Sequence, residues 1–255
     1  MVTEEEMKNI ESMEYKYLKK FYHFLKYTED EMLFGFNTKE KIKEDWIRFW
    51  DPEEEGKGIS GFATGAERIV YSLFNGKGIG QPNSSPVGSD LFFETNDAFV
   101  HIDLKTVQTR NIGDFNKSIF VGRNQNSYTG KMLVNKTQER EYVSALPHYY
   151  KNNGNKKICL TFFVTILYEE TNLKILNINI LCMPNGALYS HYGARVLKAG
   201  KNPDKTRFNF SEVSNFEKLD GDKKRIKVVY YDESTLSASE KKKMEFIKSI
   251  YDNQM

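Results

Sequence analysis

Two runs of strand-forming residues, Ser89 to Thr95 and Ala98 to Lys105, are separated only by Asn96 and Asp97. Asn-Asp is turn chemistry, because both side chains bond nearby backbone and tolerate left-handed φ. A two-residue turn leaves the runs one antiparallel register, in which opposed residue numbers sum to 193. Asp90 then faces Asp103, with Cβ atoms about 4.5 to 5.5 Å apart. Period two puts Lys105 on the same face, one step along. Leu91, Phe93, Ile102 and Leu104 alternate with these charges, so the charged face follows from the pattern rather than from composition.

Two carboxylates held this close repel each other and resist ionising unless a cation lies between them. Mg²⁺ suits the position. It prefers oxygen, usually takes one or two protein carboxylates, and keeps its other places for water and phosphate. A lysine beside such an ion can orient the attacking water or stabilise negative charge developing on a phosphoryl oxygen. The same residues on an exposed strand would form a solvated face, and spacing alone leaves both readings open.

Ser60 or Gly61 begins a predicted helix in which Phe62, Ala63, Ala66, Ile69, Val70, Leu73 and Phe74 form an apolar stripe. Glu67 falls inside that stripe, where an unpaired carboxylate is costly. It is either a further acid of the site or half of a structural ion pair with Arg68 or Lys105.

Glu67 on a helix, then Asp90, then Asp103-Leu104-Lys105 on the following strand resemble the PD-(D/E)xK nuclease superfamily and, within it, the type II restriction endonucleases. The run Ser60-Gly61-Phe62-Ala63-Thr64-Gly65-Ala66-Glu67 with Val70-Tyr71, and Asp103-Leu104-Lys105-Thr106, are most similar to the subgroup of HincII and EcoRV. The likeness covers residues 56–112. It implies an α/β fold with a mixed central β-sheet flanked by helices, and catalytic roles for Asp90, Asp103, Lys105 and Glu67. It also implies Mg²⁺ at metal positions Asp90, Asp103 and Leu104, and a homodimer that cuts both strands of double-stranded DNA at a short palindromic site. The motif's proline is missing: Ser89 precedes Asp90, and Pro86 lies four positions back. A structure-specific or repair nuclease would use the same site, and a DNA-binding protein with a degenerate nuclease fold is the non-catalytic alternative.

Net charge is only +2, but the charge is unevenly placed. Residues 1–60 hold 10 basic and 15 acidic groups, residues 101–140 hold 7 and 3, and residues 195–231 hold 10 and 5. Two basic segments of this kind suit a protein that meets polyphosphate on one side, although loops are often lysine-rich for solubility alone. Gln108, Arg110 and Asn111, then Arg123, Asn124, Gln125 and Asn126, are the residue types that read base edges, and a plain polar loop would hold them too. His191, Tyr192, Arg195, Lys198, Lys201, Lys205 and Arg207 form a basic, aromatic stretch suited to clamping a phosphate backbone.

At 255 residues with no Pro/Gly/Ser linker, one domain is expected over 1–255, with a helical part in 1–50 and the catalytic core segment in 56–112. The first 27 residues carry a helical apolar face of Met7, Ile10, Met13, Tyr17, Phe21, Phe24 and Leu25, suited equally to dimerisation and to packing on its own domain. A second helix is expected from Thr38 to Phe49, and a glycine-rich loop over 75–88 that lacks the ending of a P-loop. Lys157 to Tyr168 and Leu173 to Met183 read as an antiparallel strand pair, Ile226 to Tyr231 as a further strand, and Ser237 to Tyr251 as a helix capped by Ser237 and Glu240. Cys159 and Cys182 lie in apolar runs and read as buried free thiols. With no signal peptide and no apolar run of about 18 residues, a cytoplasmic protein without membrane contact is expected. None of the four histidines sits in a nucleophile context, which disfavours serine-type hydrolysis.

Overall fold

The computed structural model describes residues 2–36, 66–67, 69–71, 73–74, 89–134, 138–152, 154–200 and 205–254. The expected helix from Thr38 to Phe49, the glycine-rich loop over 75–88, the start of the Glu67 helix, and Arg68 and Lys201 lie outside them. Helix α1 (Glu4–Tyr27) opens with a capping box of Thr3 and Glu6, and residues 29–36 continue helically after it. The strands are β1 (Leu91–Glu94), β2 (Ala98–Gln108), β3 (Ile119–Phe120), β4 (Gly130–Val134), β5 (Gln138–Tyr142), β6 (Tyr149–Asn152), β7 (Asn155–Tyr168), β8 (Ile175–Met183), β9 (Leu197–Ala199), β10 (Thr206–Phe208) and β11 (Ile226–Tyr231). Helix α2 (Ala238–Asp252) closes the chain, capped by Ser237 and Glu240 as the sequence predicts.

The central sheet runs β1-β2-β7-β8-β11, with β6 paired to the start of β7. It is mixed: β2 and β7 are parallel over eleven residue pairs, and the other contacts are antiparallel. Strands buried on both faces lose their alternation, which is why β8 is buried at all nine positions. The hairpin β1-β2 adopts the predicted register, Leu91 facing Ile102 and Phe93 facing Val100, with Thr95 N–H donating to Ala98 O across Asn96-Asp97.

Helix α1 packs on one face of this sheet. Phe21 meets Phe93 and Phe162 edge-on at ring separations of 6.0 and 5.1 Å and also touches Phe74, which is helical. The apolar face of α1 is therefore spent within its own chain. That face also holds Glu11 and Glu14, both buried. They enclose the guanidinium of Arg225, whose Nη1 lies 2.7 Å from Glu14 and whose ring neighbours are Phe216 and Tyr192. Tyr192 and the backbone N–H groups of Glu217 and Lys218 donate to Glu11, and the Asn185 N–H donates to Glu14. Helix α2 packs against β11 and residues 109–114.

Candidate active site

Asp103 and Lys105 alternate with Ile102 and Leu104 along β2, so core packing of the apolar pair directs the charged pair to the opposite face. Asp103 is buried, and the Lys105 ammonium lies against its Oδ1. That contact is charge-assisted, so Oδ1 has the ammonium as its partner. Asp90, immediately before β1, is partly buried and accepts the Leu104 N–H on Oδ2 at 2.6 Å, which ties the two halves of the hairpin together at the acids. Its pKa is raised by burial, against the Leu104 N–H and Lys105. Glu67 is half-buried beside the row Ala66, Val70 and Phe74 rather than within it, a correction to the stripe drawn from sequence. Burial and then Asp90 raise its pKa while Lys105 lowers it, so it belongs electrostatically to the same cluster.

The carboxyl of Asp103 is pushed up to about 7. Burial is the largest cause, Lys105 opposes it, and Asp90 and Glu67 add to it. A buried carboxylate crowded by two acids is a place where a cation lowers the energy. Asp90 and Asp103 would supply carboxylate oxygens, and Leu104, being apolar, only its backbone carbonyl. Among the described residues no three Asp, Glu, His or Cys side chains converge closely enough to hold an ion by themselves. Mg²⁺ does not require three, since water and phosphate ordinarily complete its shell.

A prediction for the metal-free protein follows from the sign of this shift. The folded chain keeps a proton on Asp103 that the unfolded chain releases near pH 4, so the associated stability is complete at low pH and is lost as pH rises through about 7. Asp103→Asn removes that dependence. Thermal melts at pH 4.5 and 7.5 in chelator should show the pH 7.5 midpoint rising in the variant and the gap between the two narrowing; an unchanged gap would refute the assignment.

Gln125 enters the cluster from a 3₁₀ turn, Arg123–Gln125. Its Nε2 donates to Asp103 Oδ2 at 2.6 Å, and its Oε1 accepts from Lys105 Nζ at 3.2 Å. Expected from sequence as a reader of base edges, it is turned inward here. Asn126 is likewise corrected: fully buried, it spends its amide on Gly122 O, Tyr142 Oη and the Tyr128 N–H. Gln108 is buried at the end of β2, hydrogen-bonded to Tyr168. Arg110, Asn111, Arg123 and Asn124 remain at the surface, Arg110 in an ion pair with Glu170 at 2.6 Å and Arg123 donating to Val143 O.

The basic stretch after residue 190 is largely committed elsewhere. Arg195 and His191 face Glu217, Tyr192 is buried on Glu11, and Arg207 is buried against Ser118 and Asp114. Lys198 and Lys205 stay exposed. His101 is buried between Ser89 and Tyr150, and burial lowers its pKa to about 4, so it is a neutral neighbour of the charged face. Both cysteines are buried free thiols. No helix among the described residues is long and apolar enough to cross a membrane.

Solved structures share this architecture. The restriction endonuclease BglI, bound to its DNA recognition sequence, superposes with a TM-score of 0.67 at 14% identity over 88% of this chain and 93% of its own. The tetrameric restriction endonuclease SfiI, bound to cognate DNA, gives 0.64 at 14% identity over 90% and 87%. The fold is that of the restriction endonucleases. Family models carry the assignment further: "Type II restriction enzyme MwoI, N-terminal domain" matches residues 6–172 and "Type II restriction enzyme MwoI, central domain" matches residues 175–231. The chain belongs to this type II restriction enzyme family and is a type II site-specific deoxyribonuclease. No curated protein sequence matches it. The finer likeness to HincII and EcoRV receives no support from these matches.

Proposed function

We propose that the chain hydrolyses DNA phosphodiesters with Mg²⁺ at Asp90, Asp103 and the Leu104 carbonyl, within a short palindromic sequence. The observation that carries this reading is the convergence on Asp103: its buried carboxyl is held by the Lys105 ammonium on Oδ1 and by Gln125 on Oδ2, with Asp90 and Glu67 close enough to raise its pKa. Bound there, Mg²⁺ supplies Lewis acidity and a water of lowered pKa. Lys105 holds its ammonium beside the reacting phosphate, where it orients the water or meets charge developing on the phosphoryl oxygens. Glu67 adds negative potential that favours the cation.

Arg110, Asn111, Arg123 and Asn124 are exposed along the chain just beyond Lys105, and we assign DNA contacts to them, with Arg and Asn suited to guanine and adenine edges. A palindrome presents one half-site twice in opposite orientation, which a two-fold homodimer matches with one active site per strand. The two free thiols fit work in a reducing cytoplasm.

Digestion of a known genome in Mg²⁺, followed by sequencing of the fragment ends, tests the proposal. Discrete fragments ending within one short palindromic sequence, on both strands and only without chelator, are expected. Ragged ends, cutting confined to junctions or mismatches, or full activity in chelator would each overturn it.

A further inference from the structure

We infer that Gln125 is a positioning residue of the catalytic centre and takes no part in reading the DNA sequence, an inference that rests on the Asp90, Asp103 and Lys105 site proposed above. Its amide can face only one way. Oε1 receives the Gly122 N–H at 2.7 Å and the Lys105 ammonium at 3.2 Å, while Nε2 donates to Asp103 Oδ2 at 2.6 Å. Turned over, the amide would set its NH₂ against two donors and its oxygen against a carboxylate, losing three hydrogen bonds together.

The turn that presents it is built for the purpose. Gln125 N–H donates to Gly122 O at 3.1 Å, closing the turn on the same residue whose N–H grips the side-chain oxygen. A Cβ at position 122 would come within 2.9 Å of Asn124 Oδ1 and 3.2 Å of Gln125 Oε1, so glycine lets the amide approach. The backbone at 122 therefore sets where Oε1 sits, and Oε1 sets where Lys105 sits.

Two consequences bear on the reaction. With Oδ2 held by Gln125, Asp103 cannot rotate its carboxyl freely, and Oδ1 is the oxygen turned to the Lys105 ammonium. Lysine has a flexible four-carbon stem and depends on its partners for position. When the charge of Asp103 is shared with a bound cation its pull on Lys105 weakens, and Gln125 Oε1 keeps the ammonium beside the carboxyl. A reader of bases needs its amide edge exposed, and this one is committed on both sides.

The experiment compares Gln125→Glu and Gln125→Ala with the parent. Gln125→Glu retains an oxygen for Gly122 and Lys105 and so retains the turn, but removes the N–H given to Asp103; Gln125→Ala removes both. Partners of metal ligands typically contribute about 10 to 100-fold to metal affinity or activity. We expect both variants to lose kcat by that factor and to bind Mg²⁺ correspondingly more weakly by calorimetry. KM for DNA, metal-free DNA binding, and the sequence at the cut ends should stay at parental values. Folding is checked by melting in chelator, where both variants should still unfold in one cooperative transition. Parental kcat and Mg²⁺ binding in Gln125→Glu overturns the inference, and so does a raised KM or a relaxed cleavage sequence, which would mark a base contact. If Asp103→Ala is inactive while Gln125→Glu is parental, this inference fails alone; if Asp103→Ala is itself active, the underlying site is wrong.

Discussion

Replacing Lys105 with alanine is expected to abolish detectable cleavage, and Asp103→Ala to do the same, while DNA binding persists. The reason is that each residue acts only on the reacting centre. Asp103 is the best buried of the three acids and the one the lysine touches, so its loss removes the carboxylate at which we propose that the metal binds. Lys105 is the sole lysine whose ammonium touches that carboxyl among the described residues. Removing one preorganised charge or donor from a catalytic centre ordinarily lowers kcat by roughly 10² to 10³, and loss of a ligand position adds weakened metal binding to that. Neither side chain lies among the exposed Arg110, Asn111, Arg123 and Asn124, so binding measured by gel shift should change little. A Lys105→Ala protein that cuts at the parental rate would remove the site from this hairpin altogether.

The largest effect on stability is expected at Arg225, far from the chemistry. Its side chain is fully buried with Glu11 and Glu14, and Tyr192 Oη, Phe216 and the Cys182 sulfur complete its surroundings. Burial by itself disfavours the guanidinium charge, but Glu14 and its other neighbours raise its pKa well above the ordinary value; for Glu14, burial wins and the pKa is raised. Arg225→Leu leaves two carboxylates buried without a cation, and breaking a buried pair in this way costs about 3–5 kcal/mol. For a chain of this size that is a fall in melting temperature of roughly 10 °C, at about 2–4 °C per kcal/mol. Replacing Glu11, Glu14 and Arg225 together with apolar residues should recover only part of the loss, because the N–H groups of Asn185, Glu217 and Lys218 then lose their acceptors. A melting temperature within two degrees of the parent in Arg225→Leu would show that the network is not what ties α1 to β11.

The hairpin was legible in the sequence because everything that sets it is local. A two-residue turn allows one register, period two decides the faces, and the apolar partners of Asp103 and Lys105 are their immediate neighbours. The strands read as Lys157 to Tyr168, Leu173 to Met183 and Ile226 to Tyr231 form within two residues of those bounds, and they and the cap of α2 were legible for the same reason. Glu11 and Glu14 carried a readable signal too. They stand four residues after Met7 and Ile10, on the apolar stripe of α1, where a carboxylate needs a partner once it is buried. Their partner did not announce itself, since Arg225 lies more than 200 residues away in a stretch that looks like surface charge.

By itself, then, the sequence determined the hairpin and its register, through patterns whose range is a few residues. Tertiary structure alone decided what the polar residues outside that range are for. Gln125 and Asn126 are adjacent and of like chemistry, yet a 3₁₀ turn aims one at Asp103 and buries the other against Tyr142. Arg195, Arg207 and Arg225 count equally in a charge tally, and only the folded chain shows Arg195 facing Glu217, Arg207 locked on Ser118, and Arg225 in the core. The physical reason is that a polar side chain is assigned by the partner it finds when water is withdrawn, and these partners of Gln125, Arg195, Arg207 and Arg225 lie 20 or more residues away in the chain.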